Sequence, residues 1–363
     1  MQRTKVAILG GGFIADIHLE SYHRFIPEAE VVGIYTRQAD KAKAMAAKHN
    51  IPQWYDSIDA LLADSGCEVV DICLPNYLHA NATLKAAAAG KHIIIEKPLA
   101  VTLEEADSMI AACKKANVKL MYAEELCFAP KYERVRHLVK EGAVGDIFML
   151  KQSEKHSGPH TDWFYDIKYS GGGVLMDMGC HAFGWFFWML NNAKVKSVQA
   201  SMNTVLHKNR TKGEDNSVVI VEFENGVTGV AENSWAKHGG MDDRSEVYGT
   251  GGVVYADLFI GNSALTYSRN GYGYAMEKAD TTAGWSFTVF EEVFNQGYPH
   301  ELKHFIECVR ENKQPLVTGE LGRAVLEVIY AAYASAGSGK KIQLPFTPRV
   351  DRPIDLWLHP TEG

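Results

Sequence analysis

Residues 96–98 read Glu-Lys-Pro and residues 177–181 read Asp-Met-Gly-Cys-His, two short stretches that bring together a carboxylate, an amine and an imidazole. Removing a hydride from a carbinol leaves a protonated carbonyl unless a base takes the hydroxyl proton. Such a base contributes about 10²–10⁴ in rate when its pKa lies near the working pH. His181 meets that condition without adjustment. Lys97 meets it only where burial or an adjacent positive charge lowers its pKa. Asp177 and His181 stand four residues apart, so a helix launched by Gly171-Gly172-Gly173 would carry them on one face. A carboxylate beside an imidazole can fix its tautomer and stabilise the imidazolium. The residues therefore suggest His181 as proton acceptor and Lys97 as the group polarising the hydroxyl. Asp177 would orient both or bind a neighbouring hydroxyl. The roles of Lys97 and His181 can be exchanged. An isolated Asp-x-x-x-His is more often a structural aspartate and a core histidine; Lys97 and its setting turn the balance.

That setting is an alternation of strands and helices. Lys5–Leu9 is an apolar run that ends in Gly10-Gly11-Gly12-Phe13-Ile14-Ala15, which fits G-x-G-x-x-[G/A] between a strand and a helix. Glycines there permit a tight turn and bring backbone N–H groups close to a pyrophosphate at a helix N-terminus. Val31–Tyr35 reads as a second buried strand, completing a βαβ unit of dinucleotide-binding length. The strand ends Tyr35-Thr36-Arg37-Gln38 with no carboxylate before Asp40, where an acidic residue would bind the ribose 2′-OH. Thr36 and Arg37 suit a 2′-phosphate, which leans the expected cofactor from NAD toward NADP; Arg37 could equally stack on adenine. Further strands are expected at 52–55, 69–74, 92–95 and 119–123, with helices at 39–49, 58–64, 79–89 and 103–116. Repeated alternation with apolar strands predicts a doubly wound parallel sheet. Ligands bind such sheets at the carboxyl ends of strands. Gly10–Gly12, Pro75-Asn76 and Glu96-Lys97-Pro98 all fall at such ends. Ile93-Ile94-Ile95 is thus a core strand, and the charges after it stand on the rim, with Pro98 as a turn that a cis bond would suit.

The glycine turn, LPNYLHANATLKAAAAGKHIIIEKPLA at 74–100 and GGGVLMDMGCHAFGW at 171–185 together resemble the glucose–fructose oxidoreductase / inositol dehydrogenase family. The resemblance runs over nearly the whole chain. It implies an N-terminal Rossmann domain, expected at 1–124, and a C-terminal α+β domain with a large, mostly antiparallel open sheet at 125–363, which binds substrate and forms dimers or tetramers. Carried over by position, it makes Lys97 the lysine placed between nicotinamide and hydroxyl, and makes Asp177 and His181 the residues that complete the site. Pro75, Asn76 and His79 match a loop lining the cofactor. Many relatives carry an Asn-Arg or similar polar pair after the fifth strand; this chain has Glu124-Glu125, expected near cofactor or substrate.

In the second half, Leu150–Glu154 alternates like a strand and runs into His156-Ser157-Gly158-Pro159-His160, followed by Trp163. Ring donors and an aromatic face suit a pyranose, with its polar edge and apolar face; a surface loop with chance histidines reads almost as well. His156, His160, Asp177 and His181 could be assembled on paper into a transition-metal set. The intervening Gly-Pro breaks any helical spacing of the first two, so no metal is expected. Trp185-Phe186-Phe187-Trp188 reads as core or subunit interface, and Lys208–Asp215 as a solvated loop or interface arm. The Pro-rich tail after residue 346 reads as extended.

A net charge of −7 and 363 residues of ordinary globular composition give no reason to expect nucleic acid or an anionic membrane as partner. Six cysteines lie scattered without a Cys-x-x-Cys pair, no apolar run approaches a membrane span, and no leader pattern precedes the first strand; a cytoplasmic protein is expected. Three functions fit. The first is a nicotinamide-dependent dehydrogenase of a secondary carbinol in a sugar, glycoside or polyol. The second is a redox-neutral sugar enzyme that eliminates or cleaves through transient oxidation by a tightly held cofactor. The third is a nucleotide-sensing regulator without catalysis. Retention of Lys97, Asp177 and His181 together speaks against the third, and the first is preferred.

Overall fold

The computed structural model describes residues 2–260, 263–289 and 291–360. The chain forms two compact units, Met1–Phe128 with Gly297–Ala324, and Ala129–Gln296 with Val325–Gly363. A single division after residue 124 falls close to the first of these boundaries, but residues 297–324 return to the N-terminal unit.

The first unit alternates β1 (Thr4–Leu9), α1 (Phe13–Phe25), β2 (Ala29–Tyr35), α2 (Ala39–Lys48), β3 (Trp54–Tyr55), α3 (Ile58–Asp64), β4 (Val69–Ile72), α4 (His79–Ala88), β5 (His92–Ile95), α5 (Leu103–Ala116) and β6 (Leu120–Tyr122). The strands lie in the order β3-β2-β1-β4-β5-β6, and every pair is parallel. Val6 to Leu9 and Ile93 to Ile95 are wholly buried, as strands covered on both faces must be. The order reverses between β1 and β4, the switch point at which such sheets open a crevice. Register matters here. Leu9 pairs with Ile72, Ile72 with Ile95 and Ile95 with Tyr122, so Gly10, Cys73, Glu96 and Ala123 leave the sheet at one level. Helix α5 is fixed by a capping box, Thr102 and Glu105 each satisfying the other's backbone N–H.

The second unit holds α6 (Pro130–Lys140), β7 (Ile147–Lys155), α7 (Ile167–Ser170), α8 (Cys180–Met189), β8 (Val195–Asn203), β9 (Asn216–Phe223), β10 (Thr228–Ser234), β11 (Asp242–Gly249), β12 (Gly252–Asp257), a ribbon of β13 (Ser263–Ser268) and β14 (Gly284–Val289), and α9 (Glu292–Gln296). Helix α10 (Tyr298–Arg310) then belongs to the first unit, α11 (Gly319–Ser338) runs across the Ala324/Val325 boundary, and β15 (Ile342–Gln343) and α12 (Asp355–Leu358) close the chain. The main sheet runs β12-β11-β7-β10-β9-β8-β15, antiparallel except between β7 and β10. Its register separates two faces. Val254, Val247, Leu150, Gly229, Val221 and Val198 stand in one row, and all the core valines and Leu150 from β11 to β8 in that row are buried. The helix α8 packs on that face: a Cβ on Gly229 would lie 2.8 Å from the Phe186 ring. The neighbouring row carries Tyr255, Glu246, Lys151, Val230 and Ile220 and faces outward, with Tyr255 67% exposed. All ten residues of α8 are buried, so the Trp185–Trp188 cluster is core of this chain. The tail is not wholly extended, since it ends in α12 with Ile354 fully buried.

Candidate active site

In the first unit, α1 starts at Gly12 without a side-chain cap. Gly10 has φ of +128°, and a Cβ on it would sit 2.2 Å from the Cys73 carbonyl oxygen. Gly12 differs: nothing lies within 4 Å of where its Cβ would be. The turn is therefore closed on its protein side and open at the helix end, the shape a pyrophosphate needs. Phe13 is exposed beside it, at 45%, and Ile14 follows on the first turn of α1. At the end of β2, Thr36 is buried and its hydroxyl donates to the Gln38 carbonyl at 2.6 Å, while Arg37 is exposed. The hydroxyl expected to favour a 2′-phosphate is thus occupied within its own loop.

The Glu96-Lys97-Pro98 turn is held from several sides. Glu96 is buried, its backbone N–H bonds the Ile72 carbonyl, and its Oε2 accepts from the Lys97 N–H at 3.1 Å. The Lys97–Pro98 peptide is cis. His79 is wholly buried, its ring nitrogens 2.9 Å from the Pro98 carbonyl and 2.7 Å from the Leu74 carbonyl. Burial lowers the His79 pKa, with the two carbonyls opposing. The ring thereby ties the Pro75-Asn76 loop to the turn from behind. Asn76 is buried, and so are Glu124 and Glu125, the latter accepting a hydrogen bond from Tyr298. Lys97 itself is half-buried.

In the second unit the triple glycine is required by contact. A Cβ on Gly172 would lie 2.1 Å from the Tyr333 hydroxyl, and one on Gly173 2.0 Å from the Glu214 carbonyl oxygen. The buried Glu214 side chain accepts from the Leu175 N–H at 2.8 Å and from Tyr333 at 2.9 Å. This anchors a π-helical turn, Leu175–Gly179, that carries Asp177. Asp177 Oδ2 accepts from the Trp235 indole N–H at 3.0 Å. His181 lies in the first turn of α8 and is buried. The expected α-helical spacing of Asp177 and His181 does not run through, because the wider π turn ends between them; such turns are frequent at functional sites.

His156 is buried and its Nδ1 accepts from the Gly158 N–H at 3.0 Å, so a neutral ring carries its proton on Nε2. His160 pairs with Glu277 at 2.5 Å. Burial would raise the Glu277 pKa, but His160 outweighs it and holds the carboxyl below its usual range. Trp163 stacks on Phe164, ring centroids 3.8 Å apart. Lys278 donates to the Gly158 carbonyl; burial lowers its pKa, with Glu277 and Asp177 opposing.

Sequence reasoning missed Trp235, Lys278 and Glu214. No local motif marks a tryptophan at a strand end or a lysine in a long loop. Glu214 belongs to the polar run expected to be solvated, yet Glu214 and Asp215 are wholly buried, and Asp215 accepts from the backbone N–H groups of Val205, Leu206 and His207. That end of the run is structural because backbone donors on both sides of it need acceptors.

A doubly wound sheet with an open glycine turn and a lysine at the rim defines a dinucleotide-binding α/β oxidoreductase fold. Residues 4–124 match the model of the oxidoreductase family with an NAD-binding Rossmann fold, and residues 132–255 match the GFO/IDH/MocA C-terminal domain. The chain belongs to the Gfo/Idh/MocA family of NAD-dependent oxidoreductases. It is 27% identical over 342 residues to myo-inositol 2-dehydrogenase of Thermotoga maritima, covering 94% of this chain and 98% of that one. With D-glucoside 3-dehydrogenase of Escherichia coli it shares 27% over 356 residues, 94% and 97% of the two chains. Among solved structures, GenD2 from gentamicin A biosynthesis, in complex with NAD, superposes with a TM-score of 0.90 at 29% identity over 95% of this chain and 97% of that one. The NADP expectation gains no support from these relatives. Among the described residues no helix is long and apolar enough to cross a membrane.

Proposed function

We propose that this protein oxidises a secondary carbinol of a sugar, glycoside or polyol, or reduces the corresponding ketone, with NAD as hydride carrier. The observation that carries the reading is Lys97, presented at the carboxyl end of β5 at the same level as the open glycine turn. The names of the relatives, an inositol and a glucoside dehydrogenase, supply the substrate class. Gly10, Gly12, Phe13 and Ile14 would seat the pyrophosphate and Thr36-Arg37 the adenosine end, with Pro75, Asn76 and Glu96 shaping the crevice. The nicotinamide, when bound, accepts or returns the hydride. Lys97 polarises the reacting hydroxyl, His181 accepts its proton, and Asp177, oriented by Trp235, holds His181 or a neighbouring hydroxyl. Glu124, His156, His160 and Trp163 are assigned to substrate, their ring and carboxylate groups suiting hydroxyls and a pyranose face.

Protein mixed with a panel of inositols, aldoses and glycosides, with NAD or NADP, should reduce NAD and yield a keto product by mass spectrometry. Lys97→Ala should lower kcat by about 10²–10⁴-fold, the scale of losing a general acid–base group, with NADH binding little changed. Product without net nucleotide reduction would move the case to the redox-neutral chemistry; near-normal turnover in the variant would remove Lys97 from the mechanism. We also infer a homodimer or homotetramer built through the outward face of the second sheet. Val218 and Ile220 on β9 and Val253 and Tyr255 on β12 are exposed on that face, on either side of Lys151 and Glu246, and exposed apolar side chains rimmed by charge suit an interaction surface. Light scattering on the intact protein tests it.

A further inference from the structure

Beneath the Glu96-Lys97 turn lies a buried chain of polar groups that the proposed chemistry does not use. His18, on α1, is wholly buried. Its Nδ1 bonds Asp71 Oδ2 at 2.9 Å, and its Nε2 lies 3.0 Å from Glu96 Oε1. Tyr22, one turn further along α1, donates to the same Asp71 oxygen at 3.0 Å. Cys73 Sγ lies 3.5 Å from both His18 Nδ1 and Asp71 Oδ1. From α10, the Tyr298 ring lies 6.1 Å from the His18 ring, and Glu301 is buried among Glu125, Glu96 and His18.

The protonation of this cluster follows from its contacts. Burial alone would favour neutral His18, but the Asp71 carboxylate outweighs it and raises its pKa well above the ordinary value. Nδ1 is hydrogen-bonded to Asp71, while Nε2 stands 3.0 Å from the Glu96 carboxylate as a charge contact outside hydrogen-bonding geometry. Burial, then the charges of Glu125 and Glu96, raise the Glu301 pKa well above the usual carboxylate range. Burial and Asp71 likewise keep the Cys73 thiol protonated. His18, Asp71 and Cys73 are close enough to suggest a metal set. The direct 2.9 Å His18–Asp71 hydrogen bond already takes up His18 Nδ1 and Asp71 Oδ2.

Two features of this cluster reach the chemistry. Glu96 precedes Lys97 directly and also accepts the Lys97 backbone N–H, so the orientation of the Glu96 carboxylate fixes the start of the lysine's path. His18 sits on the helix whose first residues follow Gly12, the open end of the glycine turn. We propose that His18 is a positioning residue, its ring wedged between Asp71 and Glu96 so as to tie the nucleotide-seating helix to the Glu96-Lys97 turn and place the Lys97 amine. Asp71 and Tyr22 hold the ring from below; Glu96 transmits its position. The inference rests on the reading of Lys97 given above, but its test does not need turnover.

The amine of Lys97 can be followed by trace labelling with acetic anhydride across pH, with the modified peptides quantified by mass spectrometry and exposed Lys85 as internal reference. In His18→Gln and Glu96→Gln, Lys97 labelling relative to Lys85 should change at least about threefold, or its pH midpoint should move by about half a unit, and in the same direction in both. The double variant should match the single ones, since both break one link. Where an active substrate is found, kcat should fall by up to about 10²-fold, the scale of a small misplacement at a reacting group, with NADH affinity changed much less. Lys97 labelling unchanged in folded His18→Gln overturns the proposal. Additive effects in the double variant overturn it too, because His18 would then act without Glu96. Should His18→Gln not fold, Glu96→Gln alone decides: normal Lys97 labelling there overturns the proposal. An enzyme silent on every substrate but showing the labelling shift would defeat the dehydrogenase reading and leave the His18 link standing.

Discussion

In the first unit the buried carboxylates of Asp71 and Glu96 face opposite nitrogens of one histidine ring. In the second unit two buried acids meet neutral donors instead: Glu214 a backbone N–H and a phenol, Asp243 the Tyr132 hydroxyl at 2.5 Å and the Gln152 amide at 3.2 Å. The difference decides where protons sit. A cation beside a carboxylate offsets the cost of burying its charge; neutral dipoles offset less, and the acid keeps its proton instead. Burial accordingly raises Glu214 and Asp243 to about 7, against hydrogen bonds that pull the other way. His18 is thus held as an imidazolium between two carboxylates, while Glu214 and Asp243 are carboxyls poised near neutrality.

The comparison can be broken most severely at Gly173. A methyl group there would meet the Glu214 carbonyl oxygen at 2.0 Å. Gly173→Ala should therefore destabilise by about 3 kcal/mol, the upper range for overpacking. A thermal melt checks this, and an unchanged melt would mean the turn is free to shift. The pH response comes next. An unfolded glutamate ionises near 4.5 and the folded Glu214 at about 7, so the folded state holds the extra proton between them. Stability from this group is therefore lost as pH rises from about 4.5 to 7, on the order of 3 kcal/mol. Glu214→Gln keeps the acceptor for Leu175 and Tyr333 and should flatten that part of the melting profile. His18 behaves with the opposite charge but the same direction. Its raised pKa gives stability that is present below the unfolded value of about 6.5 and lost as pH rises through the folded value. The two windows should separate, with loss above pH 7 abolished by His18→Gln and not by Glu214→Gln.

A smaller effect is expected at Trp235. Trp235→Phe retains much of the packing around Tyr165, Val174 and Met178 but removes the donor to Asp177. The loss should be about 1–3 kcal/mol, read as roughly a 5- to 150-fold fall in kcat/KM on whichever carbinol proves to be substrate; an unaltered value would detach Asp177's orientation from the indole. The smallest expected effect lies on the surface of the first unit. Lys85 and Asp59 pair at 2.6 Å, but both side chains are exposed to solvent. Lys85→Ala should move stability by less than about 1 kcal/mol. A large effect there would blur the distinction between buried and exposed pairs.

Strand by strand, the first unit was legible because its evidence is local. An apolar run, a glycine turn and a helical repeat each announce themselves within a few residues, and α5 appears at the very residues its pattern predicts, Leu103–Ala116. Lys97 at a strand end and the position of the glycine turn follow from the same alternation. The triple glycine before Asp177 was visible, but its reason was not: Tyr333 and Glu214, which forbid a side chain there, lie far off in sequence. The same holds for the π turn, which replaces the even spacing expected between Asp177 and His181.

Sequence by itself therefore determined the alternation of strands and helices in the first unit and singled out the candidate reactive groups, since these depend on side-chain type and on spacing within one or two turns. Only tertiary structure decided what each reactive group leans on. His18 meets Asp71 and Glu96 across the sheet, Trp235 meets Asp177 across the second unit, and Glu214, set in a polar run that reads as solvated, becomes a buried acid. The physical reason is that burial and hydrogen-bond partnership are set by residues distant in the chain, and it is those two quantities that fix where a proton is held.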